Sequence, residues 1–327
     1  MNTAKIDLHL HLDGSIYLPW AYKTALKRNV ISKDVSFEEY YNSYYFTEYK
    51  TREEGFKRFD IPLAVLQDYE DLMEATYILV KTLDYQGLIY AEIRFAPSLH
   101  TLKGMSQLDA IKAVMDGIKK AKKECSIEIG IIACMMHRGE NALYNMDSNY
   151  ETIEVVKETI GDIVVGLDLA GYENNGDFKL YAPLFEKARE YHIPYTIHAG
   201  EMGMGEHVHD ALMMKAHRIG HGVNCVDNDK WLKEVVDSKI TLEVCVGSNV
   251  NKDRNYANHP VRKLIEAGVK VTLNTDNMMF ARTTLQNEHN QLMAIGLSEE
   301  DIRKCTLNAI DAAFCKEEIK KKLYQLI

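Results

Sequence analysis

Two histidines one residue apart, His9 and His11, are the first reactive groups in this chain, within IDLHLHLDGS at 6–15. On a strand, residues two apart point to the same side, so both rings can converge on one ion. His198, in YTIHAGE, offers a third imidazole, and Asp276, in VKVTLNTDN, a carboxylate. Three neutral nitrogens and one oxygen suit Zn²⁺, a borderline-soft cation, and leave room for a water. Each residue alone has a plainer use: a polar strand face, a satisfied core histidine, a cap. A metal with an open position brings the pKa of its water toward about 7 and supplies hydroxide at neutral pH. Glu201 lies three residues past His198, where a glycine-bearing loop begins, and is placed as a proton donor beside the metal. His221, between two glycines in RIGHGV, can serve as base or charge stabiliser, or sit as a backbone-bonded turn histidine. Gly171, in DLAGYE, lets a flat ligand come close to a backbone N–H because it has no side chain.

These groups need elements that bring them together. In the opening stretch Leu8, Leu10 and Leu12 alternate with Asp7, His9, His11 and Asp13, the period of a strand with one aliphatic and one ionisable face. Further apolar runs occur at 88–97, 127–137, 163–171, 195–201, 218–223, 241–249 and 269–277, making eight with the first. Between them, LDAIKAVMDGIKKAKKE, YAPLFEKAREYH and DKWLKEVVDSK carry apolar residues at helical spacing. Alternating strand and helix predicts an α/β fold with a parallel sheet, and eight repeats predict a (β/α)8 barrel of the TIM type. A doubly wound open sheet is the alternative. In a barrel the C-terminal strand ends meet at one face, which would gather His9, His11, Asp13, His198, Glu201, His221 and Asp276.

The series runs unbroken over 1–327, a single domain, with one anomaly. Residues 16–87, between the first two strands, are too long for one crossover helix and include the tyrosine-rich FEEYYNSYYFTEY at 37–49. We read 16–87 as a helical insertion and lid over the barrel mouth. Near the C-terminus, Ser298 is placed to cap a closing helix.

Bulk properties narrow the partners. A net charge of −9, from 48 acidic and 39 basic residues, argues against nucleic acid, which needs a basic footprint. No run of about 18 apolar residues suggests a membrane span, and the first residues lack the pattern of a secretory signal. Six scattered cysteines without a CxxC pair fit a reducing cytoplasm. A small-molecule substrate is expected. The sequence sets no oligomeric state.

The ordered set IDLHLHLDGS, FKRFDIPLAVLQ, AEIRFAP, DLAGYE, HAGE, RIGHG, SNV, NTDN and NAIDAAF resembles the adenosine deaminase family of metal-dependent amidohydrolase-like barrels, over nearly the whole chain. The resemblance implies a zinc-dependent hydrolase of purine salvage that converts adenosine, and 2′-deoxyadenosine, to inosine or deoxyinosine and ammonia. It implies one zinc ion per chain held by His9, His11, His198 and Asp276. Glu201 would protonate purine N1, His221 would take or orient the proton of the attacking water, and Asp276 would hydrogen-bond the hydroxide. His11 would also border the substrate, Asp13 would face the ribose 5′-hydroxyl and the Gly171 amide would reach N3. Asn277 departs from the family's usual second aspartate; its amide can donate to N7 without first holding a proton. Adenine deaminase acting on the free base is the nearest rival, and a nucleoside-binding barrel without turnover the other.

Overall fold

The computed structural model describes residues 4–43, 55–137, 145–173, 178–250 and 254–327. Eight parallel strands follow one another: β1 Lys5–His11, β2 Leu88–Phe95, β3 Glu128–His137, β4 Val164–Gly171, β5 Thr196–Ala199, β6 Arg218–His221, β7 Thr241–Val244 and β8 Lys270–Leu273. They form two ladders in sequence order, β1 to β4 and β5 to β8. Single parallel bridges join the ladders at both seams, Leu167 with Tyr195 and Leu10 with Asp276. Across the second seam the His11 amide donates to the Asp276 carbonyl at 2.7 Å, and the Asp276 amide to the His9 carbonyl at 2.8 Å. The eight strands thus make one barrel.

Every predicted strand is present, but the last four are shorter than their apolar runs. The chain leaves β6 with His221 at φ 61° and passes Asp276 at φ 59°, and Gly200 after β5 has φ 69°. Left-handed backbone cannot continue a strand. β5 and β6 therefore stop at their reactive side chains.

β1 is buried along both faces except at His11. Its leucines point outward: Leu8 packs with Ile310 of the closing helix Glu299–Ala312, and Leu10 and Leu12 join the main core. Its histidines point inward, so one face meets the helical shell and the other the barrel axis. Ser298 caps that closing helix reciprocally with Asp301, as its sequence predicts. The crossover helices Gln107–Ala121, Ala182–Glu190 and Asp229–Ser238 match the helical repeats.

Between β1 and β2 lie helices Leu18–Lys27, Phe37–Ser43, Asp60–Val65 and Tyr69–Tyr85, with a 3-10 turn Lys57–Phe59. Tyr69–Tyr85 packs against Gln107–Ala121, where a Cβ on Gly117 would come within 2.4 Å of the Met73 carbonyl oxygen. Residues 44–49 of the tyrosine-rich segment lie outside the described residues.

Two histidines packed into this framework tie its stability to pH. His100 bonds the Leu66 carbonyl through Nδ1 at 2.8 Å, while its buried Nε2 has no partner. Nδ1 of His289 is buried and unpartnered in the same way. Burial lowers both rings to about 4. The unfolded chain therefore binds protons that the native state refuses, so stability falls as pH drops from about 6.5 toward 4. At pH 5 the loss is roughly 2 kcal/mol for each ring. Urea unfolding of His100→Gln should show a shallower decline between pH 7 and 5 than the wild type, by nearly one proton. Identical slopes would contradict the neutral buried ring.

Candidate active site

At the C-terminal end of the barrel five potential donors converge. His9, His198, His221 and Asp276 present atoms that all lie within 4.8 Å of one another. His11 adds its Nε2, 3.4 Å from Nε2 of His198 and 3.3 Å from Oδ1 of Asp276. The sequence reading put His11 among the ligands and His221 beside them; both rings stand at this centre.

Carboxylates behind the rings fix their orientation. Nδ1 of His9 is 2.9 Å from Oε2 of Glu243, and Nδ1 of His198 is 3.0 Å from Oδ2 of Asp168. A carboxylate accepts, so each Nδ1 carries the hydrogen and each Nε2 faces the centre. The buried Nε2 of His9 finds no hydrogen-bond partner in the protein, 3.5 Å from Oδ1 of Asp276. An orphaned basic nitrogen among further nitrogens and a carboxylate fits a divalent cation with nitrogen preference. Burial lowers the proton affinity of the His9 and His11 rings, leaving them neutral and able to bind a metal. Burial works against ionised Asp276, yet the polar imidazoles packed around it, His9 first and then His11 and His221, hold its carboxyl well below the usual range.

Beneath the rings runs a buried ion network. Arg94, next to last in β2, reaches Asp168 and Glu243 at 2.8 Å each, with all three side chains fully buried. Arg218 donates to Glu243 at 2.6 Å and pairs with Glu92. Burial opposes these charges, but Arg94 and Arg218 keep Glu243 ionised, and His198 and Arg94 keep Asp168 ionised.

Asp276 has two further partners: the Ser248 hydroxyl donates to Oδ2, and the Asn277 amide to Oδ1 at 2.7 Å. His221 is held at Nδ1 by Asn249, 3.3 Å away, and its Nε2 lies 3.7 Å from Oε2 of Glu201. Burial, and then the charge of Asp276, push the Glu201 carboxyl above the usual range, the condition for holding a proton near neutral pH.

Beside this centre opens a cavity of about 320 Å³. His11, Asp13 and Gly171 line it from the strand ends, and Phe56, Lys57 and Phe59 from the segment between β1 and β2. Burial raises the Asp13 carboxyl to about 6. Gly171 has φ 113°, and a Cβ there would fall 2.6 Å from the His137 carbonyl oxygen, so the strand pair closes tightly at the cavity wall. A second cavity of about 290 Å³, between residues 15–19 and 278–279, stands apart from the imidazoles.

The model of the adenosine deaminase family matches residues 4–327. The chain belongs to the adenosine deaminase family. Among curated relatives, the adenosine deaminase of Clostridium perfringens strain 13 is 36% identical over 99% of this chain and 97% of its own length. That of Haemophilus ducreyi is 37% identical over 97% of this chain and 94% of its own. Among solved structures, the adenine deaminase of Arthrobacter aurescens superposes with a TM-score of 0.87 at 23% identity, covering 98% and 97% of the two chains. The Arabidopsis N6-mAMP deaminase gives 0.85 at 26%, covering 99% and 97%. A Burkholderia ambifaria amidohydrolase described with bound Zn gives 0.85 at 21%, covering 99% and 91%. As a member of the family, this chain is a hydrolytic deaminase built as a metal-dependent TIM barrel.

Among the described residues, His9, His11, His198, His221 and Asp276 come together at the centre, whereas the sequence reading gave no role to Arg94, Asp168, Glu243, Ser248 and Asn249 behind them. A signal existed. Asp168 in GLDLAG and Glu243 in TLEVCV are single charges inside apolar strands, Arg94 shares EIRFAP with Glu92 alone, and a buried charge needs a partner. Removing one partner strands the others. Arg94→Met should lower unfolding stability by about 3–5 kcal/mol, because two carboxylates lose their shared cation. Urea denaturation measures this; a change below about 0.5 kcal/mol would show the network to be dispensable.

Proposed function

We propose that this chain deaminates adenosine, and 2′-deoxyadenosine, by hydrolysis at purine C6, releasing inosine or deoxyinosine and ammonia. The observation that carries this reading is the meeting of a His-rich donor cluster, Glu201 at 3.7 Å from the His221 ring, and a cavity that His11 lines. His9, His11, His198 and Asp276 would hold one zinc ion. When bound, the ion supplies Lewis acidity that makes water nucleophilic near neutral pH.

The protein's own groups do the rest. Glu201 gives its proton to purine N1, which draws electron density from C6 and opens it to attack. His221, kept neutral by burial that lowers its ring to about 4, takes or steers the proton of the attacking water. Asp276 accepts a hydrogen bond from the same water. Fixed partners on its two oxygens, Ser248 and Asn277, leave it little freedom to turn. The Gly171 amide meets N3, and Asp13 the ribose 5′-hydroxyl. Asn277 spends one amide hydrogen on Asp276 and has the second for N7.

Several features favour the nucleoside. The curated relatives at 36% and 37% identity are named adenosine deaminases, whereas the Arthrobacter adenine deaminase, at 23%, shares the fold. Phe56, Lys57, Phe59 and Asp60 extend the cavity wall beyond the strand ends, room for a sugar under a lid formed by 16–87. Phe56 meets Tyr172 edge to face, ring centres 5.8 Å apart, and Phe59 meets Phe280 at 4.7 Å, so the lid would rest on the loops after β4 and β8. Asp13 and Asp60 outnumber Lys57 along the wall, which suits an uncharged nucleoside better than its 5′-phosphate. Purine salvage in a cytoplasmic setting is the role that fits this reaction. No helix among the described residues is long and apolar enough to cross a membrane.

Steady-state kinetics with adenosine, 2′-deoxyadenosine and adenine test the substrate. Higher kcat/KM for the nucleosides is expected; better turnover of the free base would reverse the choice. Glu201→Gln separates chemistry from metal binding. It should retain one zinc per chain by elemental analysis while kcat falls by about 10²-fold or more. Near-wild-type turnover would remove Glu201 as the donor.

A further inference from the structure

Glu201 stands on chain that has little reason to hold still. β5 ends at Ala199, the helix Glu206–Met213 begins five residues past Glu201, and Gly200, Gly203 and Gly205 punctuate the loop between. A proton donor must be held within a fraction of an ångström of its target; a displacement of about 1 Å can cost about 10²-fold in rate. Some other group must supply the rigidity.

We propose that Glu173, two residues beyond the end of β4, is the positioning residue for Glu201, an inference that rests on the proton-donor reading above. Its buried carboxylate gathers three successive amides of the loop: Oε1 accepts from Gly200 at 2.6 Å, and Oε2 from Glu201 at 2.9 Å and Met202 at 3.0 Å. Successive amides turned toward one anion form a nest, which needs a left-handed residue; Gly200, at φ 69°, provides it. A side chain at Gly200 would also collide with Val208, whose Cγ2 lies 2.6 Å from a Cβ placed there.

Glu173 is itself anchored. Nδ1 of His207 lies 2.9 Å from Oε1, and the His207 ring stacks on Phe178 with centres 4.5 Å apart and planes within 10°. Burial opposes the charge on Glu173, but these donors outweigh it and hold the carboxyl below its ordinary value. The other side of Glu201 is pinned separately. Its carbonyl accepts from Nδ2 of Asn224 at 2.9 Å, and Oδ1 of Asn224 accepts from Arg254 at 2.8 Å. With the peptide units on both sides fixed, the Cα–Cβ direction of Glu201 is fixed as well. Glu173 is neither a member of the donor cluster nor one of the cavity-lining residues, and its bonds to the loop reach the site through the backbone that carries Glu201.

A double-mutant cycle separates positioning from general support. Glu173→Gln turns an amide NH₂ toward backbone donors that need an acceptor, and should lower kcat for adenosine by about 10- to 100-fold with KM and zinc content little changed. In the Glu201→Gln background the same change should cost almost nothing, because the side chain being aimed no longer carries the proton. Equal fold-losses in both backgrounds would mark Glu173 as a structural residue, and full activity of Glu173→Gln would make it irrelevant; either overturns the proposal. Should Glu173→Gln fold poorly or lose zinc, Asn224→Ala replaces it in the cycle, loosening the loop from the carbonyl side. Background-independent loss there, or none, overturns the proposal equally. Wild-type turnover by Glu201→Gln alone would instead bring down the proton-donor reading, and this inference with it.

Discussion

One guanidinium organises the centre of this molecule. Arg94 is fully buried and donates to Asp168, to Glu243 and to the Leu8 carbonyl, and those same carboxylates hold His198 and His9. The rings come from β5 and β1, strands on opposite halves of the barrel, and no backbone ladder links them directly. Their relative orientation is therefore electrostatic in origin. Planar, forked donors suit this task, since a guanidinium can serve two carboxylates in fixed directions where an ammonium would act as a point charge. The arrangement stabilises little by itself, because desolvating these ions offsets much of their attraction. What it achieves is a pair of Nε2 nitrogens aimed at one point.

Strand geometry supplies the second constraint. A barrel brings strand ends together but leaves their side chains alternating in and out. The chain gains extra inward groups by turning left-handed at the rim. His221 and Asp276 both have positive φ without being glycine, an unfavourable conformation that persists where surrounding bonds over-determine it. At Asp276 those bonds are visible: its amide and carbonyl bridge to β1, and its carboxylate is held by Ser248 and Asn277.

This division explains what could be read from the sequence. Local periodicity carries the strand and helix pattern, and the order of eight apolar runs carries the barrel, so His9, His198 and Asp276 could be gathered before any coordinates. The strand ends could not, because a left-handed residue such as His221 leaves no mark in hydrophobic periodicity. The supporting shell was harder still. Asp168 and Glu173 lie in the same DLAGYE motif that drew notice for Gly171, yet the partners of Asp168 are 30–74 residues away and those of Glu173 27–34, and pairing at such range is not written in spacing. A lone charge in an apolar strand says that a partner exists, without saying which.

The departure at Asn277 shows how such non-local fit constrains even a glycine. Gly14 lies so close to Asn277 that a Cβ on it would fall 1.7 Å from the amide oxygen. The Gly14 carbonyl accepts from Met279, and the Ser15 hydroxyl accepts from the Met278 amide. The turn after β1, which carries Asp13, and the turn after β8, which carries Asp276, are thus locked into one unit across the barrel seam. An amide oxygen that abuts Gly14, with its nitrogen committed to Asp276, has its orientation set by packing on one side and by charge on the other. The side chain at 277 is therefore as much a part of the joint between two strands as of the surface a purine would meet. An asparagine can keep that joint in one protonation state across the pH range, which a carboxyl group beside Asp276 could not.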